Sequence, residues 1–185
     1  MLLLGNIAYG EEKMLLKGKR IAILAENEYE DLELWVPYYR MLEEGAEVQI
    51  IGTPASIIFH SKHGYPVKVD EEISTISVND FDAVIIPGGY APDKLRRYPD
   101  VVNFVNQMSS KGKLVAMICH AGWVPISAGI VKDKLVTSTI AIKDDLINAG
   151  AKWVNEEVVI DENLISSRSP SDLPAFSRAI INALS

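Results

Sequence analysis

Residues 114–129 read Leu-Val-Ala-Met-Ile-Cys-His-Ala-Gly-Trp-Val-Pro-Ile-Ser-Ala-Gly. The first five residues form a continuous apolar run, which is typical of a strand buried on both faces of a parallel sheet. The residues after Cys119 have the apolar spacing of a helix. This stretch therefore predicts a strand that ends on Cys119 and turns at once into a helix, which is the topology of a nucleophile elbow.

The same alternation of strand and helix continues outward from this stretch. Short apolar runs occur at Arg20–Ala25, Glu47–Ile51 and Phe81–Ile86, and helical spacing occurs at Glu30–Glu44 and Pro99–Ser110. Buried strands that alternate with helices predict an α/β sandwich, in which helices cover both faces of a mostly parallel sheet.

Several shorter segments complete the prediction. Residues 53–70 are irregular and predict a small side hairpin with a turn near Gly64. Residues 158–167 predict two adjacent strands, and a last helix reaches Leu184 with Ser171 or Asp172 as its cap. We assign residues 1–18 to an N-terminal extension and residues 19–185 to a single domain.

Composition limits the possible partners and compartments. The 185 residues include 18 Lys and Arg against 25 Asp and Glu, so the formal net charge is -7, which argues against a nucleic-acid partner. No apolar stretch is long enough to span a membrane, and residues 1–13 do not resemble a secretory signal. These features predict a cytoplasmic protein without a membrane partner.

Cys119 is the only cysteine, which excludes an intrachain disulfide and a cysteine cluster for a metal. A single cysteine is either a small buried apolar residue or a catalytic or redox thiol. The elbow leaves both readings open: Cys119 is the last buried residue of a strand, or it is a nucleophile, since backbone N–H groups at a helix start stabilise a thiolate and can also bind a developing oxyanion.

Three further features lie where the carboxyl ends of strands are expected to meet. Pro87-Gly88-Gly89 follows one strand and brings backbone N–H groups close to a ligand. Glu30 follows the first strand and is either a proton donor to the thiol or an ordinary acid in the first turn of a helix. His120 is a candidate base beside Cys119, whereas His60 and His63 have no obvious third ligand, so we expect no metal site.

Seven ordered motifs resemble the ThiJ/PfpI superfamily, especially its PfpI-type intracellular proteases, between about Lys19 and Leu184. The motifs are Ala25-Glu-Asn-Glu-Tyr-Glu-Asp-Leu-Glu-Leu, Pro37-Tyr-Tyr-Arg, Lys62-His-Gly-Tyr, Pro87-Gly-Gly-Tyr-Ala-Pro, Ile118-Cys-His, Lys143-Asp-Asp-Leu-Ile-Asn-Ala-Gly and Ser166-Ser-Arg-Ser-Pro-Ser-Asp-Leu. The resemblance implies a flavodoxin-like three-layer sandwich related to class I glutamine amidotransferases.

The resemblance also implies roles for individual residues. It implies that Cys119 is the nucleophile, that Glu30 is the acid hydrogen-bonded to it, and that His120 is the neighbouring histidine. Gly88 and Gly89 would help to form the oxyanion site. Asp93 would orient the His120 of a neighbouring subunit, although the usual residue there is a glutamate. The family forms dimers, and PfpI-type members form hexameric rings built from dimers, so we expect a homo-oligomer.

Three functions are compatible with these residues. The first is a cysteine peptidase in which Cys119 attacks a peptide carbonyl and His120 moves the proton. The second is a cofactor-independent glyoxalase or deglycase, in which Cys119 adds to a 2-oxoaldehyde and Glu30 or His120 shuttles a proton. The third is a redox or stress-response role for an oxidisable Cys119. The resemblance places the peptidase first, and none of the three requires a cofactor.

Overall fold

The computed structural model describes residues 14–185. Its strands are β1 Arg20–Ala25, β2 Glu47–Gly52, β3 Ile58–His60, β4 Pro66–Lys68, β5 Glu71–Glu72, β6 Ala83–Ile86, β7 Leu114–Ile118, β8 Leu135–Val136, β9 Lys152–Trp153, β10 Val158–Asp161 and β11 Leu164–Ser167. Its α-helices are α1 Asp31–Glu43, α2 Ala91–Leu95, α3 Pro99–Ser110, α4 Trp123–Ser127, α5 Lys143–Asn148 and α6 Leu173–Leu184. None of these helices has the length and apolar character needed to cross a membrane.

The central sheet has seven strands in the order β10-β11-β7-β6-β1-β2-β5. All neighbouring pairs are parallel except β10 and β11, which form the antiparallel pair predicted for residues 158–167. In the register of β6 with β7, Ile86 lies opposite Met117. The residues after β6 and the residues after β7 therefore emerge side by side, which brings Gly88 to Cys119.

Helices cover both faces of this sheet, so the predicted three-layer α/β sandwich is confirmed. Ile21 and Ile23 of β1 pack with α1 and α6, whereas Ala22 and Leu24 pack with α3, α4 and α5. Alternate residues of a strand point to opposite faces, and this is why β1 is apolar throughout. The carboxyl ends of the strands remain free of this packing and carry the candidate site.

The predicted side hairpin is formed by β3 and β4, which pair antiparallel outside the main sheet. Two hydrogen bonds hold it over the end of β1. The Tyr29 hydroxyl donates to the Tyr65 carbonyl oxygen at 2.7 Å, and the Lys62 N–H donates to the Tyr29 carbonyl oxygen at 3.0 Å. The hairpin turn therefore brings Lys62 to the edge of the candidate site.

On helix α1 an acidic residue faces the protein interior, and a stripe of apolar residues faces outward. Its buried residues are Glu33, Leu34, Pro37 and Met41. Leu32 is 51% exposed and Tyr39 is 62% exposed, although they recur with the spacing of an amphipathic helix. The period of a helix can thus be read from its apolar residues, while the face that packs on the sheet is decided by the whole fold.

Two segments differ from their predicted form. After Cys119 the chain makes a 3-10 turn, Cys119–Gly122, before the short helix α4 begins. Asp172 stands at the start of α6 as predicted, but its carboxylate makes no capping hydrogen bond and instead accepts from Arg168 at 2.9 and 3.2 Å. A partly exposed arginine partner therefore takes the place of the expected cap.

The extension assigned to residues 1–18 lies partly outside the described residues, which begin at Met14. Within the described part, Leu16 is buried, and its N–H donates to the Glu44 carbonyl oxygen at 2.8 Å. The residues just before β1 therefore pack against the end of α1.

Candidate active site

Cys119 occupies a sharp turn at the carboxyl end of β7. Its φ is +61°, in the left-handed region that side chains other than glycine rarely adopt. Such strain is characteristic of a nucleophile elbow, where it lifts the side chain above the sheet. The predicted elbow at Cys119 is therefore present in the backbone.

Glu33 is the acid that meets the Cys119 thiol. Its side chain is fully buried, its Oε2 accepts the Gly88 N–H at 2.8 Å, and its carboxyl group interacts with the thiol of Cys119. Its Oε1 is buried without a well-formed hydrogen bond to any described residue. A proton on this carboxyl group would give the site a donor directed at the sulfur.

The expectation that Glu30 bonds to Cys119 is corrected by this geometry. Glu30 is the N-cap of α1, and its Oε2 accepts the N–H groups of Leu32 at 2.8 Å and Glu33 at 3.2 Å. Its Oε1 pairs with the Lys62 ammonium at 3.3 Å. Both oxygens are therefore engaged at the helix start, one turn away from the acid that reaches the sulfur.

Burial decides the ionisation of Glu33 and Cys119. Burial raises the pKa of Glu33 to about 7, against the opposing hydrogen bond from the Gly88 N–H. Burial, followed by the charge of the Glu33 carboxylate, raises the pKa of Cys119 to about 12. Two adjacent buried acids do not both ionise readily, so a protonated Glu33 favours the thiolate form of Cys119 over an ionised Glu33.

His120 lies on the other side of the sulfur. Its Nδ1 is 3.2 Å from Cys119 Sγ, so the two adjacent side chains do converge. Burial, and then the nearby charge of Lys62, lower the pKa of His120. A neutral imidazole at neutral pH can accept the thiol proton, which is the role predicted for this histidine.

The backbone N–H groups of the two glycines after β6 have different partners. The N–H of Gly88 is used by Glu33, so it is not free for an oxyanion, contrary to the prediction. The N–H groups of Gly89 and His120 interact with the thiol and lower its pKa, and they remain as candidate oxyanion donors. A Cβ on Gly88 would lie 2.5 Å from Glu33 Oε2 and 2.8 Å from Cys119 Cβ, so only glycine fits there.

Asp93 lies in α2 and is nearly buried. Its Oδ1 accepts from Arg96 Nε and Nη2 at 3.2 and 2.7 Å, and its Oδ2 pairs with Arg97. Burial opposes ionisation, but the hydrogen bonds from Arg96 and Arg97 lower the pKa of Asp93 overall. Both carboxylate oxygens are thus occupied within one chain, and Asp93 makes no contact with the His120 of that chain.

His63 belongs to a small acidic group beside the site, with Glu30 and Asp31. Their potential ligand atoms lie within 4.8 Å of one another. Asp31 accepts from the Ser61 hydroxyl at 2.6 Å and contacts His63 Nδ1 at 2.7 Å, and both Glu30 oxygens are engaged as described above. The four carboxylate oxygens therefore already have partners in the protein.

Comparison with known proteins gives the family of this chain. The family model described as DJ-1/PfpI matches residues 19–183. Deglycase PfpI of Pyrococcus furiosus is 45% identical over 165 residues, which are 89% of this chain and 99% of that protein. Putative cysteine protease YraA of Bacillus subtilis is 40% identical over 166 residues, which are 90% of this chain and 98% of that protein.

Solved structures show the same architecture. Drosophila melanogaster DJ-1beta superimposes with a TM-score of 0.85 at 25% identity, covering 90% of each chain. A two-domain protein of Anabaena variabilis with DJ-1/ThiJ/PfpI-like and ferritin-like domains gives a TM-score of 0.88 at 41% identity, covering 90% of this chain and 48% of that one. The resemblance to ThiJ/PfpI proteins is confirmed, and the chain belongs to the DJ-1/PfpI family.

Proposed function

We propose that the protein is a cofactor-independent enzyme in which Cys119 attacks 2-oxoaldehydes or their adducts, as a glyoxalase or deglycase. The observation that carries this proposal is the buried Cys119–Glu33 pair, in which the carboxyl group of Glu33 contacts the thiol and Glu33 Oε2 accepts the Gly88 N–H at 2.8 Å. The name Deglycase PfpI on a relative of 45% identity supports the same chemistry.

The site contains the groups that this reaction requires. Cys119 Sγ, as thiolate, adds to the aldehyde carbon, and protonated Glu33 donates its proton to the new alkoxide, which gives a hemithioacetal. His120 then takes the proton from that carbon and returns it to the neighbouring carbon, while the hydroxyl proton of the hemithioacetal moves to the neighbouring carbonyl oxygen, which leaves a thioester of a 2-hydroxy acid. Water hydrolyses the thioester, releases the hydroxy acid and restores the thiol.

A peptidase is the second candidate, since His120 lies 3.2 Å from Cys119 and a relative is named a putative cysteine protease. A cysteine–histidine pair that cleaves peptides is usually oriented by a third polar group on the histidine. Asp93 would have to release Arg96 or Arg97 before it could bind a neighbouring subunit's histidine. This competition favours the oxoaldehyde reaction, which needs only a local proton shuttle.

The test compares methylglyoxal and a fluorogenic peptide as substrates of the wild type and of three variants. We expect Cys119→Ala and Glu33→Gln to lose methylglyoxal turnover by about 100-fold or more, because each removes a group that carries the transferred proton. Glu30→Gln is the matched control, since it makes the same change one turn earlier and should retain turnover within about threefold. Peptide cleavage that depends on Cys119, without methylglyoxal turnover, would instead establish the peptidase.

We also propose that the protein is a homo-oligomer. The outward stripe of α1 supports this, because Trp35 stacks on Tyr39 with ring centroids 5.9 Å apart and meets Tyr65 of the hairpin at the same distance. Together with Leu32 these residues form an exposed apolar patch, which is typical of a surface that binds another protein. Light scattering should give a multiple of the chain mass, and Tyr39→Glu should reduce it.

A further inference from the structure

Trp123 lies against the imidazole of His120. It is the first residue of α4, and its ring centroid is 5.3 Å from that of His120, with the two planes inclined at 51°. The indole therefore packs on the side chain that faces the Cys119 sulfur. Residues in this position limit the rotamers that an imidazole can adopt.

Three side chains, from α5 and from the two ends of α2, hold the indole itself. Trp123 Nε1 donates to Asp145 Oδ2 of α5 at 2.7 Å. The Arg96 guanidinium lies 5.1 Å from the ring centroid, and the Tyr90 ring meets it edge-on at 6.3 Å. A hydrogen bond, a cation–π contact and an aromatic contact together leave the indole little freedom to rotate.

Arg96 is fixed in turn by Asp93. Its Nε and Nη2 both donate to Asp93 Oδ1, and Asp93 is 6% exposed. A continuous series of contacts therefore runs from Asp93 through Arg96 and Trp123 to His120. Within residues 14–185, the His120 imidazole makes no hydrogen bond to a carboxylate, so packing is what holds its orientation.

We propose that Trp123 is a positioning residue that keeps His120 Nδ1 directed at Cys119 Sγ, and that Arg96, fixed by Asp93, holds Trp123 in place. The proposal rests on the proposed function only in that His120 acts as a base beside the Cys119 sulfur. Misplacement of a catalytic group by about 1 Å can lower a rate by about 100-fold, so a packed orienting ring is sufficient for the effect.

Alkylation of Cys119 by iodoacetamide measures this directly, because the chain has one cysteine and no turnover is needed. We expect Trp123→Ala to slow alkylation by about tenfold, and Trp123→Phe, which keeps a ring against His120, by less than about threefold. In a His120→Ala background the same Trp123→Ala change should alter the rate by less than about twofold, since its effect passes through the missing imidazole.

Trp153 provides a matched control. Its Nε1 donates to Ser138 Oγ at 3.0 Å, and Lys143 lies 5.2 Å from its ring centroid, so its surroundings are similar to those of Trp123. Trp153→Ala should leave alkylation within about twofold once thermal unfolding confirms that the variant is folded.

The two arginines that bind Asp93 provide a second test. Arg96→Met should slow alkylation, whereas Arg97→Met should not, because Arg97 binds Asp93 without touching Trp123. This second pair remains informative if Trp123→Ala does not fold.

The outcomes separate the two proposals. Equal slowing by Trp123→Ala with and without His120 would overturn the positioning role, as would a wild type that alkylates no faster than His120→Ala. Coupling of Trp123 to His120 in alkylation, without any methylglyoxal turnover, would support the positioning role while the proposed function fails. If the wild type turns over methylglyoxal, a lower kcat with little change in KM in Trp123→Ala would support both the positioning role and the proposed function.

Discussion

Replacement of Glu33 by Gln should make the protein more stable at alkaline pH than the wild type. Burial raises the pKa of Glu33 from 4.5 to about 7, so between these pH values the folded chain binds a proton that the unfolded chain has lost. The free energy of unfolding of the wild type therefore falls as the pH rises through this window. At 1.36 kcal/mol for each pKa unit, the loss amounts to about 3 kcal/mol once the pH is above 7.

Gln keeps the shape of the side chain and an oxygen for the Gly88 N–H, but it carries no charge at any pH. The difference in unfolding free energy between Glu33→Gln and the wild type should thus grow by about 2.5 kcal/mol between pH 5 and pH 8. Urea denaturation at several pH values measures it, and all other titrating groups cancel in the difference. The exposed Glu43→Gln on the same helix is the control, with a change below about 0.5 kcal/mol.

Parallel stability curves for the wild type and Glu33→Gln from pH 5 to pH 8 would refute this reasoning. Glu33 would then not be the group that titrates near neutral pH, and the proposed proton donation from Glu33 would lose its support. A difference of the opposite sign, with the wild type gaining stability as the pH rises, would mean that Glu33 is stabilised as a carboxylate.

Other variants test the remaining features of the site. Gly88→Ala should lower the free energy of unfolding by about 2 kcal/mol and abolish turnover, since its Cβ would displace Glu33 and Cys119; thermal unfolding and a methylglyoxal assay measure both. Cys119→Gly should be more stable than Cys119→Ala by about 1 kcal/mol, because glycine adopts φ +61° without strain; equal stabilities would argue against strain at the elbow. Glu30→Ala should lose about 1 kcal/mol of stability through the helix cap, while the folded enzyme keeps its turnover.

Most of the architecture followed from local patterns in the chain. The strands β1, β6 and β7 are buried on both faces, so their continuous apolar runs were unambiguous. Glycine marked the positions where the backbone passes closest to Cys119, and the elbow at Cys119 followed from a strand that ends where a helical pattern begins. The short helix α2 and the 3-10 turn after Cys119 are too brief to carry a period of their own.

Local patterns did not show which of two glutamates, Glu30 or Glu33, contacts the Cys119 thiol. Glu30 and Glu33 are three residues apart at the start of one helix, and either could follow β1 into the site. Leu34, Pro37 and Met41 share a helical face with Glu33, and this spacing was the available signal. It was obscured by the apolar stripe of Leu32, Trp35 and Tyr39, which faces outward.

The amino-acid sequence by itself determined the alternation of strands and helices, the elbow at Cys119 and the need for glycine after β6, because each depends on residues that are neighbours in the chain. Only the tertiary structure decided that the carboxyl group of Glu33 contacts the Cys119 thiol and that Trp123 packs on His120. These contacts depend on the rotation of α1 against the sheet and on α2, α4 and α5 meeting at one edge. Side chains distant in sequence acquire shifted pKa values and fixed orientations only when packing removes water and brings them together.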